Sequence, residues 1–308
     1  MSKSKKTKST RQERTKRTRK EIEKEKRFNL SNFLIRLLLI ILLTICCILL
    51  YSRYTATTGL ITNEYKIENS KIPDSFNGFT IVQISDIRYG STVDNKYLKD
   101  IVKKINKIDP DLVVFTGDLI YGNYKLKDDD IDNISATLKD INSYAGKYAC
   151  DGNIDDTNTY VILQNSEFKL LDNTYDNIYY QGYTPIIISG AGSSLKNNLN
   201  LENTFKYLED ENNNNLFQIS LVHESDAALE ILNNHSPDVI MTGNSLGGLI
   251  RIPFVGSIYN LEGSSTITKR VTKKENTIIY NSYGIGTNKY KFRLFNRPSI
   301  NLYRLYNH

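Results

Sequence analysis

Short apolar runs alternate with amphipathic stretches along most of this chain, and this alternation constrains its fold more than any other feature. The runs span residues 79–84, 112–115, 148–150, 186–189, 216–222 and 239–242. Between them, residues 98–108 and 131–141 place apolar side chains at helical spacing. Short strands that alternate with helices predict an α/β sheet.

A polar segment follows five of these runs. The segments are Ser85-Asp86-Ile87-Arg88, Thr116-Gly117-Asp118-Leu119, Gly152-Asn153-Ile154-Asp155, Leu221-Val222-His223-Glu224 and Thr242-Gly243-Asn244-Ser245-Leu246-Gly247-Gly248. Open α/β sheets place their ligand sites at the carboxyl ends of strands. We therefore expect the five segments to contribute to a ligand site.

In this order, the five segments resemble the signature blocks of calcineurin-like metallophosphoesterases, which read Asp-x-His, Gly-Asp, Gly-Asn-His-Asp/Glu, His and Gly-His-x-His. The resemblance covers roughly residues 77–308. Two later stretches, 247–253 and 284–298, are similar in spacing to the membrane-associated bacterial branch of that family. The resemblance implies an α/β fold, a four-layer sandwich of two mixed β-sheets flanked by helices, preceded here by one transmembrane helix.

Four histidines of the family pattern are missing. Arg88, Ile154, Asn244 and Leu246 stand in their places, whereas His223 is kept. The family's third-block histidine helps the leaving group depart, and Ile154 has no proton to donate. We therefore assign no catalytic residue.

Two metal ions bind in the family, and the substitutions affect them unequally. By resemblance, the first metal keeps Asp86 and Asp118 but loses two ligands to Arg88 and Leu246. Leucine has no donor atom, and the guanidinium of arginine stays protonated and cannot bind a cation.

The second metal keeps Asp118, Asn153 and His223, and Asn244 could add a carbonyl oxygen, a weaker ligand than imidazole. The residual ligand set is therefore Asp86, Asp118, Asn153, His223 and Asn244. The cofactor implied is a divalent metal, Mn, Fe or Zn, and the alternative is that no metal binds.

Arg88 carries the sharpest hypothesis. Buried carboxylates without their cations need a compensating charge, and the Arg88 guanidinium could pair with Asp86 and Asp118. There it could also bind an anionic ligand or a protein carboxylate. The alternative is that Arg88 is a tolerated replacement at a decayed site.

Three functions are compatible with these residues. The first is a membrane-anchored pseudoenzyme of the family that binds a ligand or a protein partner. The second is an active metal-dependent phosphoesterase that hydrolyses a phosphodiester or a lipid-linked nucleotide through Asp118, Asn153 and His223. The third is a structural protein of the cell envelope.

The N-terminal part of the chain predicts a membrane anchor. Residues 33–52 are almost wholly apolar and long enough to cross a bilayer as a helix. The dense positive charge before them predicts a cytoplasmic N-terminus and an extracytoplasmic domain. A cleaved signal peptide is the alternative, although Tyr54-Thr55-Ala56-Thr57 is a poor cleavage site. The predicted organisation is a basic tail at 1–32, an anchor at 33–52, a linker with an entering strand at 53–76 and the metallophosphoesterase-like domain at 77–308.

The net charge of +6 belongs to the tail. Residues 1–28 hold thirteen Lys or Arg and four Glu, about +9, so the rest of the chain is near −3. We therefore expect no nucleic-acid partner, because such domains carry a basic surface of their own. For residues 1–28 we expect disorder apart from a short charged helix at 20–27, and for the three cysteines no disulfide.

Overall fold

The computed structural model describes the backbone of residues 3–308 and the side chains of residues 15–308. This chain divides into two compact units, Met1–Tyr51 and Ser52–His308.

The first unit is one long helix, α1, Lys3–Leu50. Within the described residues it is the one helix long and apolar enough to cross a membrane, in agreement with the predicted span. The helix also includes residues 3–28, for which the sequence predicted mainly disorder. Lys, Arg, Glu and Gln favour helix, and Glu23 lies four residues from both Arg19 and Arg27, a spacing at which opposite charges stabilise a helix.

The second unit begins with a π-helical turn, Tyr51–Thr55, that overlaps the boundary by one residue. Its helices are α2 Asn95–Ile108, α3 Asp130–Lys139, α4 Thr157–Asn165, α5 Leu201–Thr204 and α6 Ala227–Leu232. Its strands are β1 Ile61–Glu68, β2 Thr80–Ile84, β3 Leu112–Phe115, β4 Lys147–Ala149, β5 Phe168–Leu170, β6 Thr174–Ile178, β7 Ile186–Gly190, β8 Gln218–Val222, β9 Val239–Thr242, β10 Arg251–Ile252, β11 Gly256–Ser257, β12 Val271–Lys274, β13 Thr277–Asn281 and β14 Ser299–Tyr306.

These strands form two mixed six-stranded sheets and a small hairpin. The first sheet has the order β1-β14-β2-β3-β4-β5, in which β14 runs antiparallel to β2 and parallel to β1. The second has the order β12-β13-β9-β8-β7-β6, with parallel strands at its centre. The hairpin pairs β10 with β11.

Apolar packing stacks the sheets and helices in four layers. Side chains of the two sheets meet in one core, which includes Ile81 and Val114 from the first sheet and Ile188 and Leu221 from the second. The outer face of the first sheet packs against α2, α3 and α4. The outer face of the second packs against α6 and the 3₁₀ helix that contains Tyr207. The predicted four-layer sandwich is confirmed.

Helix α2 shows how local sequence sets these elements. Asp94 caps its first turn by accepting a hydrogen bond from the Tyr97 amide. Leu98, Ile101 and Ile105 then form the buried face that packs on the sheet. The helical spacing predicted over residues 98–108 is therefore correct, and the cap extends the helix by three residues towards its N-terminus.

Strand β1 is an integral part of the first sheet. All eight of its residues are in register with β14, from Ile61 opposite Ser299 to Glu68 opposite Tyr306. Ile67, Ile72 and Phe76 are buried in the core between the sheets. The stretch 53–76, predicted as a linker with an entering strand, therefore contributes to the core.

Candidate functional site

The polar segments meet at the carboxyl ends of β2, β3, β8 and β9. The Asp86 amide donates to Gly117 O at 2.9 Å, and the Arg88 amide donates to Asp118 O at 3.1 Å. Across the two sheets, Gln83 Nε2 donates to Thr242 O at 2.9 Å. The polar segments of both sheets therefore form a single cluster at the edge where the sequence predicted a ligand site.

Two glycines allow the segments to approach this closely. A Cβ on Gly152 would lie 2.4 Å from the Asp118 amide nitrogen. A Cβ on Gly243 would lie 2.1 Å from Ser85 Oγ. Both distances are shorter than van der Waals contact, so any larger residue would separate the segments.

The backbone of the site is unusual. Five non-glycine residues of the site adopt positive φ angles, namely Asp86, Arg88, Asp118, Asn244 and Leu246. This conformation costs about 1–2 kcal/mol for a residue with a Cβ. Such strain concentrates at functional sites, where the surrounding structure imposes it.

Asp86, Asp118 and His223 form a buried group at the centre of the cluster. One potential ligand atom from each lies within 4.8 Å of the other two. Ser85 Oγ and the backbone N–H of Asn244 donate to Asp86 Oδ2 at 2.6 and 3.0 Å, which fixes that carboxylate. The group has the spacing of a metal site.

Arg88 lies between the two carboxylates. Its Nη2 is 2.7 Å from Asp118 Oδ2 and 3.2 Å from Asp86 Oδ1, and all three side chains are buried. The pairing hypothesised from the sequence is therefore present. Nη2 is committed to these carboxylates, while Nε has no hydrogen-bond partner among residues 15–308. Whether Arg88 binds an anionic ligand stays a prediction.

His223 is oriented by the backbone of the second segment. Its Nδ1 lies 2.5 Å from Thr116 O, so Nδ1 carries a proton and donates it to that carbonyl. Its Nε2 lies 3.3 Å from Asp118 Oδ1. Two lone pairs at this distance repel each other, so either a proton on Nε2 or a metal ion must lie between them.

The charges of the site set the pKa values of its groups. Burial opposes the charged imidazole, but the carboxylates of Asp118 and Asp86 outweigh it and raise the pKa of His223 to about 10. Burial also opposes ionisation of Asp118, yet His223 and Arg88 together lower the pKa of Asp118 to about 2. Arg88 and His223 can therefore balance the charge of Asp118 without a metal, whereas burial raises the pKa of Asp86.

Asp155 lies beneath this group. It accepts hydrogen bonds from the amides of Asp118, Leu119 and Gly152 at 2.8–2.9 Å. Burial, reinforced by the charge of Asp118, raises the pKa of Asp155 to about 6. Asp155 thus joins the second and third segments and supports Asp118 without facing a ligand.

The residues present fit one metal position and not the other. At the position that Asp118, Asn153 and His223 would form, Asn153 Oδ1 is buried without a hydrogen-bond partner in the described part of the chain, and His223 Nε2 faces Asp118 Oδ1 at 3.3 Å. Donor atoms left free in this way suit a cation. At the position of Asp86, Arg88 replaces the cation with its own positive charge.

The remaining substituted residues make other contacts, and a metal bond from the Asn244 carbonyl oxygen stays a prediction. Asn244 Nδ2 donates to Glu262 O at 2.6 Å and to Ser264 Oγ at 3.1 Å, which ties its amide to the 262–264 loop. Leu246 is fully buried. Ile154 contributes only its backbone amide, which donates to Asp118 Oδ1 at 3.2 Å.

Three supporting residues were not identified as such from the sequence. Arg293 is buried and donates to the Gly284 and Gly286 carbonyls, and Asn296 Nδ2 donates to Leu246 O at 2.7 Å. Lys196 Nζ contacts the Asp151 carboxylate at 2.7 Å and Asp155 O at 2.6 Å. The spacing of the closing stretch 284–298 was the available signal for Arg293 and Asn296, whereas the sequence around Lys196 carries none.

A family model described as calcineurin-like phosphoesterase matches residues 79–248, a stretch that includes all five segments. The fold and the arrangement of these segments agree with that match. The chain belongs to the calcineurin-like phosphoesterase family.

Individual relatives support the same family. The chain is 30% identical over 265 residues to the uncharacterized metallophosphoesterase YkuE of Bacillus subtilis, covering 83% of this chain and 88% of the relative. A shorter match, 34% identical over 88 residues, is to the UDP-2,3-diacylglucosamine pyrophosphatase LpxG of Chlamydia muridarum, covering 28% of this chain and 26% of the relative. A third, 43% identical over 56 residues, is to a transmembrane protein with metallophosphoesterase domain of Danio rerio, covering 18% and 13%.

Proposed function

We propose that this chain is a membrane-anchored pseudoenzyme of the family, which binds a ligand or a protein partner at this site or on a surface near it. The observation that carries the proposal is the Arg88 guanidinium between Asp86 and Asp118. Two-metal hydrolysis needs a bridging carboxylate and an ion on each side of it. Arg88 opposes an ion on one side by charge repulsion and by occupying that space.

The absence of proton-transfer groups supports the same proposal. Ile154 stands where the family has its leaving-group histidine, and His223 directs Nδ1 to a carbonyl and Nε2 to Asp118. Neither residue can protonate a departing alkoxide. Binding without turnover is therefore the function that these residues support best.

The test measures metal content and hydrolysis on the full-length chain in detergent. After incubation with Mn²⁺ and removal of free metal, we expect at most one ion per chain and background hydrolysis of bis(p-nitrophenyl) phosphate. The matched variant carries Arg88→His, Ile154→His, Asn244→His and Leu246→His together. We expect it to bind a second ion, and Arg304→His serves as a control on an exposed arginine. Wild-type turnover that is lost in Asp118→Ala would disprove the pseudoenzyme proposal.

An active phosphoesterase is the second candidate. It is favoured by the unpartnered Asn153 Oδ1 and by His223 Nε2, which faces Asp118 and with it would hold one divalent ion. Such an ion would supply a Lewis acid and a water of lowered pKa. The chain's own part is to orient His223 through Thr116 O and to hold Asp118 ionised. The name of the Chlamydia relative suggests a lipid-linked nucleotide as substrate. Mn²⁺-dependent release of a nucleoside monophosphate from such a substrate, abolished in His223→Asn, would establish this alternative.

The anchoring is part of the proposal. Residues 33–52 would span the bilayer with the basic residues of 1–32 on the cytoplasmic side and the domain outside. Protease added to intact cells should then digest the domain and leave an N-terminal epitope tag protected. Digestion of the tag in intact cells, with the domain protected, would indicate the opposite orientation.

A further inference from the structure

Exposed apolar side chains gather at the β10–β11 hairpin. Phe254 is fully exposed at the tip of the hairpin, and Val255 beside it is largely exposed. We call the group the hairpin surface, and it consists of Ile252, Phe254, Val255, Ile258, Tyr259 and Phe295. Contiguous exposed apolar side chains of this kind mark an interaction site.

The hairpin surface is assembled from two distant parts of the chain. Phe295 lines one shallow cavity together with Ile252, Phe254 and Val255. The Arg251 amide donates to Leu294 O at 3.0 Å, which fixes the hairpin to this second segment. The surface therefore has a defined backbone frame and does not depend on one loop alone.

The same segment holds the residue that directly follows the first unit. The Arg293 amide donates to Ser52 O at 3.1 Å. The Arg293 guanidinium is buried and bonded to Gly286 O through Nε and Nη2 at 3.0 and 2.7 Å. Ser52 is thus hydrogen-bonded to Arg293, two residues before Phe295. In the sequence, Ser52 is also the last residue of the predicted apolar span.

The register of the strands also places the start of β1 near the candidate site. Ile61 is opposite Ser299, and β14 runs antiparallel to β2 with Asn301 opposite Gln83. Ser299 therefore comes level with the segment that follows β2. The chain enters the domain at the edge that carries the candidate site, and the hairpin follows the fifth polar segment at that edge.

Aromatic and basic side chains precede Phe295 in the chain. Tyr290 and Lys289 are exposed, and Lys291 is half-buried in the same stretch as Phe295. Tyrosines are enriched at the level of lipid headgroups, and lysines there attract anionic lipids. An apolar tip together with exposed tyrosine and lysine side chains in the segment that carries Phe295 suits a bilayer surface.

We propose that the hairpin surface inserts into the headgroup region of the bilayer beside the anchor, with Phe254 and Val255 deepest. The inference rests on the proposed spanning of the bilayer by residues 33–52. A bilayer is the occupant because Ser52 is the last residue of the span in the chain and is fixed beside this surface. The edge with Asp118 and Arg88 then faces the lipid, so a ligand would approach from the membrane.

The chain contains no tryptophan, so one substitution introduces a single fluorescent reporter. Full-length Phe254→Trp is reconstituted into vesicles of phosphatidylcholine and phosphatidylglycerol. The control is Tyr183→Trp, because Tyr183 is fully exposed in the loop before β7, at the opposite edge of the second sheet. Both substitutions replace one exposed aromatic residue with another and leave the core unchanged.

Replacing the phosphatidylcholine with a chain-brominated form should remove about half or more of the Phe254→Trp emission, as expected for an interfacial indole. Emission from Tyr183→Trp should be unchanged and should instead be quenched by aqueous iodide. Equal iodide quenching of both reporters would overturn the inference. So would a Phe254→Trp signal protected from both quenchers, since protein would then cover the surface. Vesicle flotation separates the two proposals, because a chain that fails to float refutes the anchor itself.

Discussion

At the residue scale, the site depends on the balance between two buried carboxylates and two cationic side chains. Arg88 contacts Asp86 and Asp118 directly, and His223 faces Asp118 from the other side. Removing one partner of a buried ion pair is far more destabilising than the net stabilisation the pair provides. These four side chains should therefore contribute to stability.

Arg88→Ala should lower the free energy of unfolding by about 3–5 kcal/mol, because both carboxylates lose their counter-charge. Adding Mn²⁺ should restore part of this loss in the variant and have little effect on the wild type. Denaturant unfolding in detergent measures both effects. Arg304→Ala is the matched control, since Arg304 pairs with Glu64 at the surface and should contribute less than about 1 kcal/mol. Equal losses in the two variants would contradict the proposed role of Arg88.

The raised pKa of His223 predicts that the stability of the metal-free chain depends on pH. Its pKa is about 10 in the folded state against 6.5 ordinarily, so the folded chain binds more protons between these values. Its contribution to stability is complete below pH 6.5 and is lost as the pH rises through 10. The free energy of unfolding should therefore fall over that interval.

His223→Asn should remove most of this slope in chelator-treated protein. His235→Asn is the control, because partial burial lowers the pKa of His235 and places its titration below the interval. An unchanged slope in His223→Asn would show that another group titrates there.

At the element scale, loops that follow strands bring the segments together only where glycine permits close contact. Gly152 tests this directly, because an added Cβ would lie 2.4 Å from the Asp118 amide and 2.6 Å from Asp118 Oδ1. The Asp118 amide cannot move without breaking its hydrogen bond to Asp155, and Asp118 Oδ1 is held by the hydrogen bond that it accepts from the Ile154 amide.

Gly152→Ala should therefore lower the melting temperature and weaken Mn²⁺ binding together. Gly122→Ala is the control, because its Cβ would meet nothing closer than Ile154 at 3.8 Å. We expect that variant to change stability by less than about 0.5 kcal/mol. A Gly152→Ala chain as stable as the wild type would mean that the segments are less tightly packed than described.

At the scale of the whole molecule, the domain starts earlier than the family pattern suggests. Its three apolar cores all lie within Ser52–His308, and β1 covers one edge of β14 along eight residues. A chain beginning at Ser52 should fold alone and unfold in one transition near that of the full chain.

A chain beginning at residue 77 should instead aggregate or unfold at lower temperature. It lacks β1 and the buried Ile67 and Phe76, so the edge of β14 and part of the core are exposed. Circular dichroism melts and size-exclusion profiles of the two truncated chains make the comparison. Equal melting temperatures would show that β1 is dispensable.

Much of this protein was predictable from the sequence. The order of strands and helices, the apolar span and the four replaced histidines are local patterns, and local patterns survive without tertiary contacts. Strand β3 was predicted to the residue, and α2 differed only at its capped end. That the side chains of Ile154 and Leu246 can neither donate a proton nor bind a metal also follows from residue identity, because neither has a polar atom.

The tertiary structure alone decided how the remaining groups face each other. Arg88 and Asp118 are 30 positions apart, and Asn244 turns its amide to the 262–264 loop. Ser52 O accepts a hydrogen bond from the Arg293 amide, 241 positions later in the chain. Contacts between residues so far apart in the sequence are fixed by the packing of the sheets. Residue identity therefore determined which atoms could take part, and only the fold determined the distances between them.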